Sequence, residues 1–285
     1  MALSIQTTAA GQTSSALDPQ NGQIGPSVPK KYSGTTTPIE DCVLFTSPVT
    51  PRLIISIEGE EKTGKDHFSF TAPAPVYLQT CDPAGTDGVR QKFPGKIYGP
   101  KEAYSLSIQP NECTPQQMKK VADPVLDRWV ANYRWALTKM RTIVWDTADE
   151  LWELARLAKF GELTPKMSQG ERNNQYGELN TFYEGLIKEA FAYPINFIMI
   201  HRLKNEYKAN ASTGNRVRAG YKDLYYLTQV NLRSLKEGRP GGGANFGVQI
   251  LDCRRNPDIE GTVMANNFIQ LAMMVLPEVD PDTWR

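Results

Sequence analysis

From Leu53 onward, short apolar runs alternate with longer amphipathic stretches. The runs at 53–57, 76–80, 142–145, 195–200, 224–232 and 246–253 are mostly near-continuous in apolar residues, as strands covered on both faces of a parallel sheet should be. Between them Val125, Leu126, Trp129, Val130, Tyr133, Leu137 and Met140 recur at helical spacing. So do Leu151, Leu154 and Ala158, and then Leu179, Phe182, Leu186, Ile187 and Ala190. Strands alternating with helices predict an α/β fold with a mostly parallel central sheet flanked by helices. The aromatic residues Trp129, Trp152 and Phe182 fall in apolar helical stripes and are assigned to packing.

The ends of the chain read differently. Residues 1 to about 37 are rich in Ser, Thr, Gln, Gly, Pro and Ala and cannot repay the entropy of ordering themselves, which predicts a flexible arm ahead of one domain over 38–285. After Leu235 the tract Lys-Glu-Gly-Arg-Pro-Gly-Gly-Gly reads as a loop before a final strand and helix. The 32 Lys and Arg against 31 Asp and Glu leave a net charge of +1, so any polyanion site must be local. Cys42, Cys81, Cys113 and Cys253 lack the paired spacing of a metal site or disulfide scaffold, which fits reduced thiols and a cytoplasmic protein. No signal segment or run of about 18 apolar residues stands in the sequence. The expectation is a soluble chain with no membrane partner.

Candidate chemistry begins where the first strand ends, at Gly59-Glu60-Glu61-Lys62-Thr63-Gly64-Lys65-Asp66. The spacing G-x-x-x-x-G-K between strand and helix is that of a loop whose backbone N–H groups cradle phosphate oxygens. Lys65 then supplies a mobile cation to the β- and γ-phosphates. A charged surface turn is the competing reading of the motif taken alone. Asp66 stands where Ser or Thr ordinarily lends a hydroxyl to Mg²⁺, and it could ligate the ion directly, ligate it through water, or mark slow hydrolysis. A second element, the strand 142–145 followed by Asp146, places a carboxylate at the carboxyl end of a buried strand, where it can hold a magnesium-bound water. Asp146 could instead cap the helix that follows. Asp149 and Glu150 open that helix, where acidic residues are favoured in any case.

With these residues in view the chain resembles phage-encoded P-loop ATPases with a RecA-like core, related to RecA-type single-strand annealing and recombination proteins. The resemblance spans roughly 53–232. It rests on the phosphate-loop segment, on Cys81-Asp82-Pro83-Ala84-Gly85-Thr86-Asp87-Gly88-Val89, on Ile143-Val144-Trp145-Asp146-Thr147-Ala148-Asp149-Glu150-Leu151-Trp152, and on Ile198-Met199-Ile200-His201-Arg202-Leu203-Lys204. It implies binding of ATP with Mg²⁺ and, at a further remove, recombination or annealing activity. In such a core His201, ending its strand, would sit beside the γ-phosphate and sense hydrolysis. Asp82, just past the second core strand, would orient the attacking water as general base, or the segment around it is merely a turn. Asp66 and the N-terminal arm depart from the family pattern. RecA-like ATPases commonly place nucleotide at a subunit boundary, which implies a homo-oligomer with Arg202, Lys204, Arg216 or Arg218 as a finger reaching a neighbour.

The stretch 203–222 carries Lys204, Lys208, Arg216, Arg218 and Lys222 with Tyr207 and Tyr221, and Glu206 is the acidic residue counted against them. Cations tracking phosphates beside tyrosine faces suit single-stranded DNA. A solvated loop is the plainer reading. The residues expected to contact DNA are Lys204, Lys208, Arg216, Arg218, Tyr221 and Lys222. Two functions stay open: an ATPase acting on single-stranded DNA in phage recombination, annealing or replication, alongside phage or host single-strand-binding or recombination proteins, and a nucleotide-dependent interaction module with little hydrolysis. A small-molecule kinase would need an acceptor pocket that the sequence does not reveal.

Overall fold

The computed structural model describes residues 50–163, 168–208 and 211–285; the arm expected at 1–37 lies outside them. In chain order the elements are β1 (Ile54–Glu58), α1 (Lys65–Phe70), β2 (Val76–Thr80), α2 (Asp87–Arg90), β3 (Ile97–Tyr98), α3 (Pro115–Lys139), β4 (Thr142–Asp146), α4 (Ala148–Phe160) and α5 (Gln169–Ala190). They continue with β5 (Asn196–His201), β6 (Leu203–Lys208), β7 (Ala211–Arg218), β8 (Val230–Gly238), β9 (Ala244–Cys253), β10 (Val263–Ala265) and α6 (Phe268–Val275). Helix starts follow local chemistry. Thr114 with Gln117, and Ser168 with Glu171, form reciprocal capping boxes that satisfy the first free N–H groups of α3 and α5.

The main sheet has the order β10-β9-β8-β1-β5-β4-β2-β3. From β8 through β3 the neighbours run parallel, and β9 and β10 are added antiparallel at the other edge. Side chains alternate across the sheet with a period of two, so each strand feeds two cores. Ile143, Trp145, Phe197 and Met199 pack with residues of α3, α4 and α5, whereas Val144, Ile198, Ile200, Ile55 and Ile57 pack with residues of α1 and α6. Trp129 and Trp152 are buried in the first core, as their helical spacing predicts, and Phe182 is partly buried against it. Trp145 lies at its centre, its ring 4.6 Å from that of Phe197 and its Nε1 donating to Gln79 Oε1 at 2.9 Å. A buried indole N–H needs such a partner.

Two segments differ from the pattern-based reading. Residues 224–232 are not one strand: a 3₁₀ turn at Lys222–Tyr226 precedes β8, which runs on to Gly238. Cross-strand pairing extends β8 beyond its apolar part, since Lys236, Glu237 and Gly238 pair with Phe246, Asn245 and Ala244. The expected glycine-rich loop therefore shrinks to a tight connection. The stretch 203–222 is likewise no open loop, because β6 and β7 form an antiparallel hairpin of their own with an irregularity between Asn205 and Tyr207.

Candidate nucleotide and phosphate site

At the carboxyl end of β1 the chain turns through the phosphate-loop motif into α1. Gly64 adopts φ +90°, a left-handed conformation that glycine enters without steric cost. Space also demands it, because a Cβ there would come within 2.7 Å of Asn266 Nδ2. At Gly59 a Cβ would meet Ser234 Oγ at 2.1 Å. Thr63 fixes the loop from within: its hydroxyl donates to the Glu60 carbonyl at 2.8 Å and lies 2.5 Å from Ser234 Oγ. Lys62 and Glu61 are exposed and line the cleft beside the loop.

Lys65 folds back over this loop. Its ammonium donates to the Gly59 carbonyl at 2.9 Å and to the Glu60 carbonyl at 2.7 Å. Burial lowers its pKa from the ordinary lysine range, and the charges of Asp66, Asp146, Glu60 and Asp149 oppose that shift. The Asp66 carboxyl is pushed up by burial, with Lys65 and its own backbone N–H acting against the rise. Burial also raises Asp146 well above the usual carboxylate range, and repulsion from Asp66 and Glu150 adds to this. Asp146 belongs with Val144 on the sheet face that packs α1, since residues two apart share a face. The expected pair of carboxylates is thus brought together around the lysine.

Among the described residues no group of three or more His, Cys, Asp or Glu could hold a metal alone. Two crowded carboxylates nevertheless suit a hard divalent cation that takes its remaining ligands from phosphate oxygens and water, as Mg²⁺ ordinarily does. The surrounding cleft encloses about 870 Å³. Asp82 lines it; the side chain is exposed and accepts from the Gly85 N–H at 3.1 Å, so the turn geometry and the position facing the cleft coexist. His67 also lines the cleft, its ring 5.4 Å from Phe93.

Other expected residues are placed elsewhere. His201 is fully buried, sits on the sheet face of Phe197 and Met199, opposite that of Asp146, and does not line the cleft. Burial followed by the Arg218 charge holds its imidazole well below the usual range, with the Ala219 backbone opposing this. The residue expected to sense the γ-phosphate thus does not face the cleft. Arg218 is only 13% exposed, and it bonds Glu58 Oε2 at 3.2 Å and Asn231 Oδ1 at 3.1 Å. Tyr221 is buried 5.6 Å from both Trp152 and Tyr183, and its hydroxyl donates to Glu184 at 2.5 Å. Both were expected on a DNA-contacting loop and are instead interior, because the hairpin returns the chain to the domain at this point. Arg216 remains half-exposed, 3.1 Å from Glu60 of the phosphate loop, and Lys204 and Tyr207 are exposed. The side chains of Lys208 and Lys222 lie outside the described residues. Arg202, a finger candidate, does line the cleft, where it is held by Asp149 of its own chain at 2.6 Å.

Sequence reasoning missed three features. Buried Glu58, at the end of β1, is clamped by Arg233 at 3.0 Å as well as by Arg218. Asn266 donates to the Gly64 carbonyl at 2.9 Å, and Phe246 and Arg239 line the same cleft. Alternation along β9 marks Phe246, Val248 and Ile250 as one face, but nothing local ties Asn266 to a loop 202 residues earlier.

The phosphate loop follows β1, the Asp146 strand β4 lies one strand away across β5, and the sheet is mostly parallel with helices on both faces. With the phosphate-loop motif after β1, this strand order is that of a RecA-like α/β fold. Among solved structures the chain is similar to a KaiC-like protein from the hyperthermophilic archaeon Pyrococcus horikoshii, with 12% identity, 74% of this chain and 84% of that chain covered, and a TM-score of 0.38. No protein-family model and no curated protein matches the sequence.

Proposed function

We propose that the protein binds ATP with Mg²⁺ in the cleft around Lys65 and hydrolyses it in work on single-stranded DNA. The observation that supports this best is the Lys65 ammonium, parked on two carbonyls of its own loop beside a pair of crowded carboxylates. An incoming triphosphate would draw Lys65 off Gly59 and Glu60 toward the β- and γ-oxygens, exchanging neutral acceptors for charged ones. Asp146 and Asp66 would orient the waters around the ion or ligate it. A bound magnesium ion supplies neutralisation of charge on the terminal phosphates. Asp82, which also lines the cleft, would accept a proton from the attacking water.

The β6–β7 hairpin supports the DNA reading, with Lys204, Arg216 and Tyr207 on its exposed surface and a Glu60–Arg216 ion pair joining it to the phosphate loop. Tyr207 takes the stacking role that Tyr221 cannot. A homo-oligomer, a phage setting and single-strand-binding or recombination partners belong to the same proposal. Asp66, in place of a hydroxyl, favours a second reading, a nucleotide-dependent interaction module with little turnover. Phosphate release from Mg·ATP, measured with and without single-stranded DNA, separates the two: DNA-stimulated turnover supports the ATPase, tight binding without turnover supports the module, and no nucleotide binding overturns both.

A further inference from the structure

We propose that Phe246 is the platform on which the nucleoside base stacks, with Asn266 as the positioning residue that keeps this wall in register with the phosphate loop. The inference rests on the nucleotide-site reading above and adds where the base goes.

The cleft has two chemically different ends. In the sheet, β4 and β2, which bring Asp146 and Asp82, lie on one side of β1, and β8 and β9 lie on the other. A magnesium ion, which Asp66 and Asp146 would hold, would keep the terminal phosphates at the carboxylate end. The nucleoside must then leave the phosphate loop toward β8 and β9, where Arg239, Ala244, Phe246 and Asn266 form the wall. That end offers an aromatic face. Phe246 is 45% exposed, although Val248 and Ile250, which follow it at every second position of β9, are fully buried. A large apolar ring left in water at a cleft lip is unfavourable unless something covers it.

The ring is also held close to the loop it would serve. A Cβ on Gly64 would lie 3.3 Å from Phe246 Cδ1, so base and phosphates would be bound by adjoining groups. Lys236 pairs with Phe246 across the hairpin, and its ammonium stands 5.9 Å from the ring centroid. Lys236 lines the neighbouring cleft rather than this one. Asn266, through its bond to the Gly64 carbonyl, ties the end of β10 to the loop. Stacking needs only a π-face and grows with its area, so the platform favours purines over pyrimidines without reading base edges.

The test is calorimetric titration of Mg·ATP, Mg·CTP and Mg·tripolyphosphate into the wild-type protein, Phe246→Ala and Phe246→Trp. Expected are a loss of ATP affinity of about tenfold in Phe246→Ala, a smaller loss for CTP, no change for tripolyphosphate, and retention of ATP affinity in Phe246→Trp. Wild-type ATP affinity in Phe246→Ala overturns the platform alone, as does an equal loss for ATP and tripolyphosphate, which would make Phe246 a support of the phosphate loop. A wild-type protein that binds neither ATP nor tripolyphosphate overturns the nucleotide site and the platform with it.

Discussion

Arg216 and Arg218 stand two residues apart on β7, and the structure predicts unequal consequences for their removal. Arg218 is 13% exposed, Glu58 is 6% exposed, and the guanidinium holds both this carboxylate and Asn231. Each hydrogen bond to a charged group contributes roughly 1.5–3 kcal/mol, and breaking a buried ion pair costs roughly 3–5 kcal/mol because the surviving charge is stranded. Arg233 stays on Glu58 at 3.0 Å and offsets part of that penalty. Arg218→Ala should therefore destabilise the fold by about 2–4 kcal/mol. Arg216 is 45% exposed and its partner Glu60 is 53% exposed, so solvent screening limits that pair to about 0–1 kcal/mol. Urea denaturation followed by circular dichroism measures both. A fall in the midpoint at constant slope for Arg218→Ala, with little change for Arg216→Ala, is expected. Equal and small effects would refute the interior clamp at Glu58 and return Arg218 to the surface.

Asp146→Asn should stabilise the magnesium-free protein at neutral pH while weakening magnesium-dependent nucleotide binding. Burial and Asp66 raise the folded-state pKa of Asp146, so as pH rises the unfolded chain gives up this proton first and stability falls between the ordinary carboxylate range and the raised folded value. Thermal melts from pH 4 to 8 should show that fall flattened in the variant; an unchanged profile would contradict it. Gly64→Ala must place a Cβ at φ +90° against Asn266 and should lose about 1–2 kcal/mol together with much of the nucleotide affinity, which chemical denaturation and titration would each report. Tyr207→Ala should weaken single-stranded DNA binding by roughly 1–3 kcal/mol. Tyr221→Phe, altered inside the core, should leave DNA affinity unchanged in filter binding across a salt series.

The sheet strands and the packing helices were legible because apolar runs and helical stripes are local signals, and β1, β2, β4 and β5 fall within a residue or so of where the pattern put them. The turn from β1 into α1 at Gly64-Lys65 and the end of β4 at Asp146 were legible for the same reason, since both stand at the edge of an apolar run. At Arg218 and Tyr221 the cation- and tyrosine-rich pattern was misleading. Charge alone cannot tell an arginine that tracks phosphate from one that neutralises a buried carboxylate, and Glu58 stands 160 residues from Arg218. His201 shows a similar limit: strand alternation decides which face a strand-end residue takes, and it turned away from the phosphate loop. The Phe246 and Asn266 wall depends on long-range pairing that no local pattern encodes.

In the proposed function Lys65 stands ready to leave its own loop carbonyls for nucleotide phosphates. Titration of Mg·ATP into the wild-type protein and Lys65→Met decides it, because methionine is unbranched and only one atom shorter and removes the charge that now reaches Gly59 and Glu60. Expected are saturable one-site binding to the wild type and a loss of about 100-fold or more in the variant, corresponding to roughly 3 kcal/mol of charge-assisted contact, with both proteins folded by circular dichroism. Equal affinity in the two, or no binding of Mg·ATP to the wild type, would contradict it.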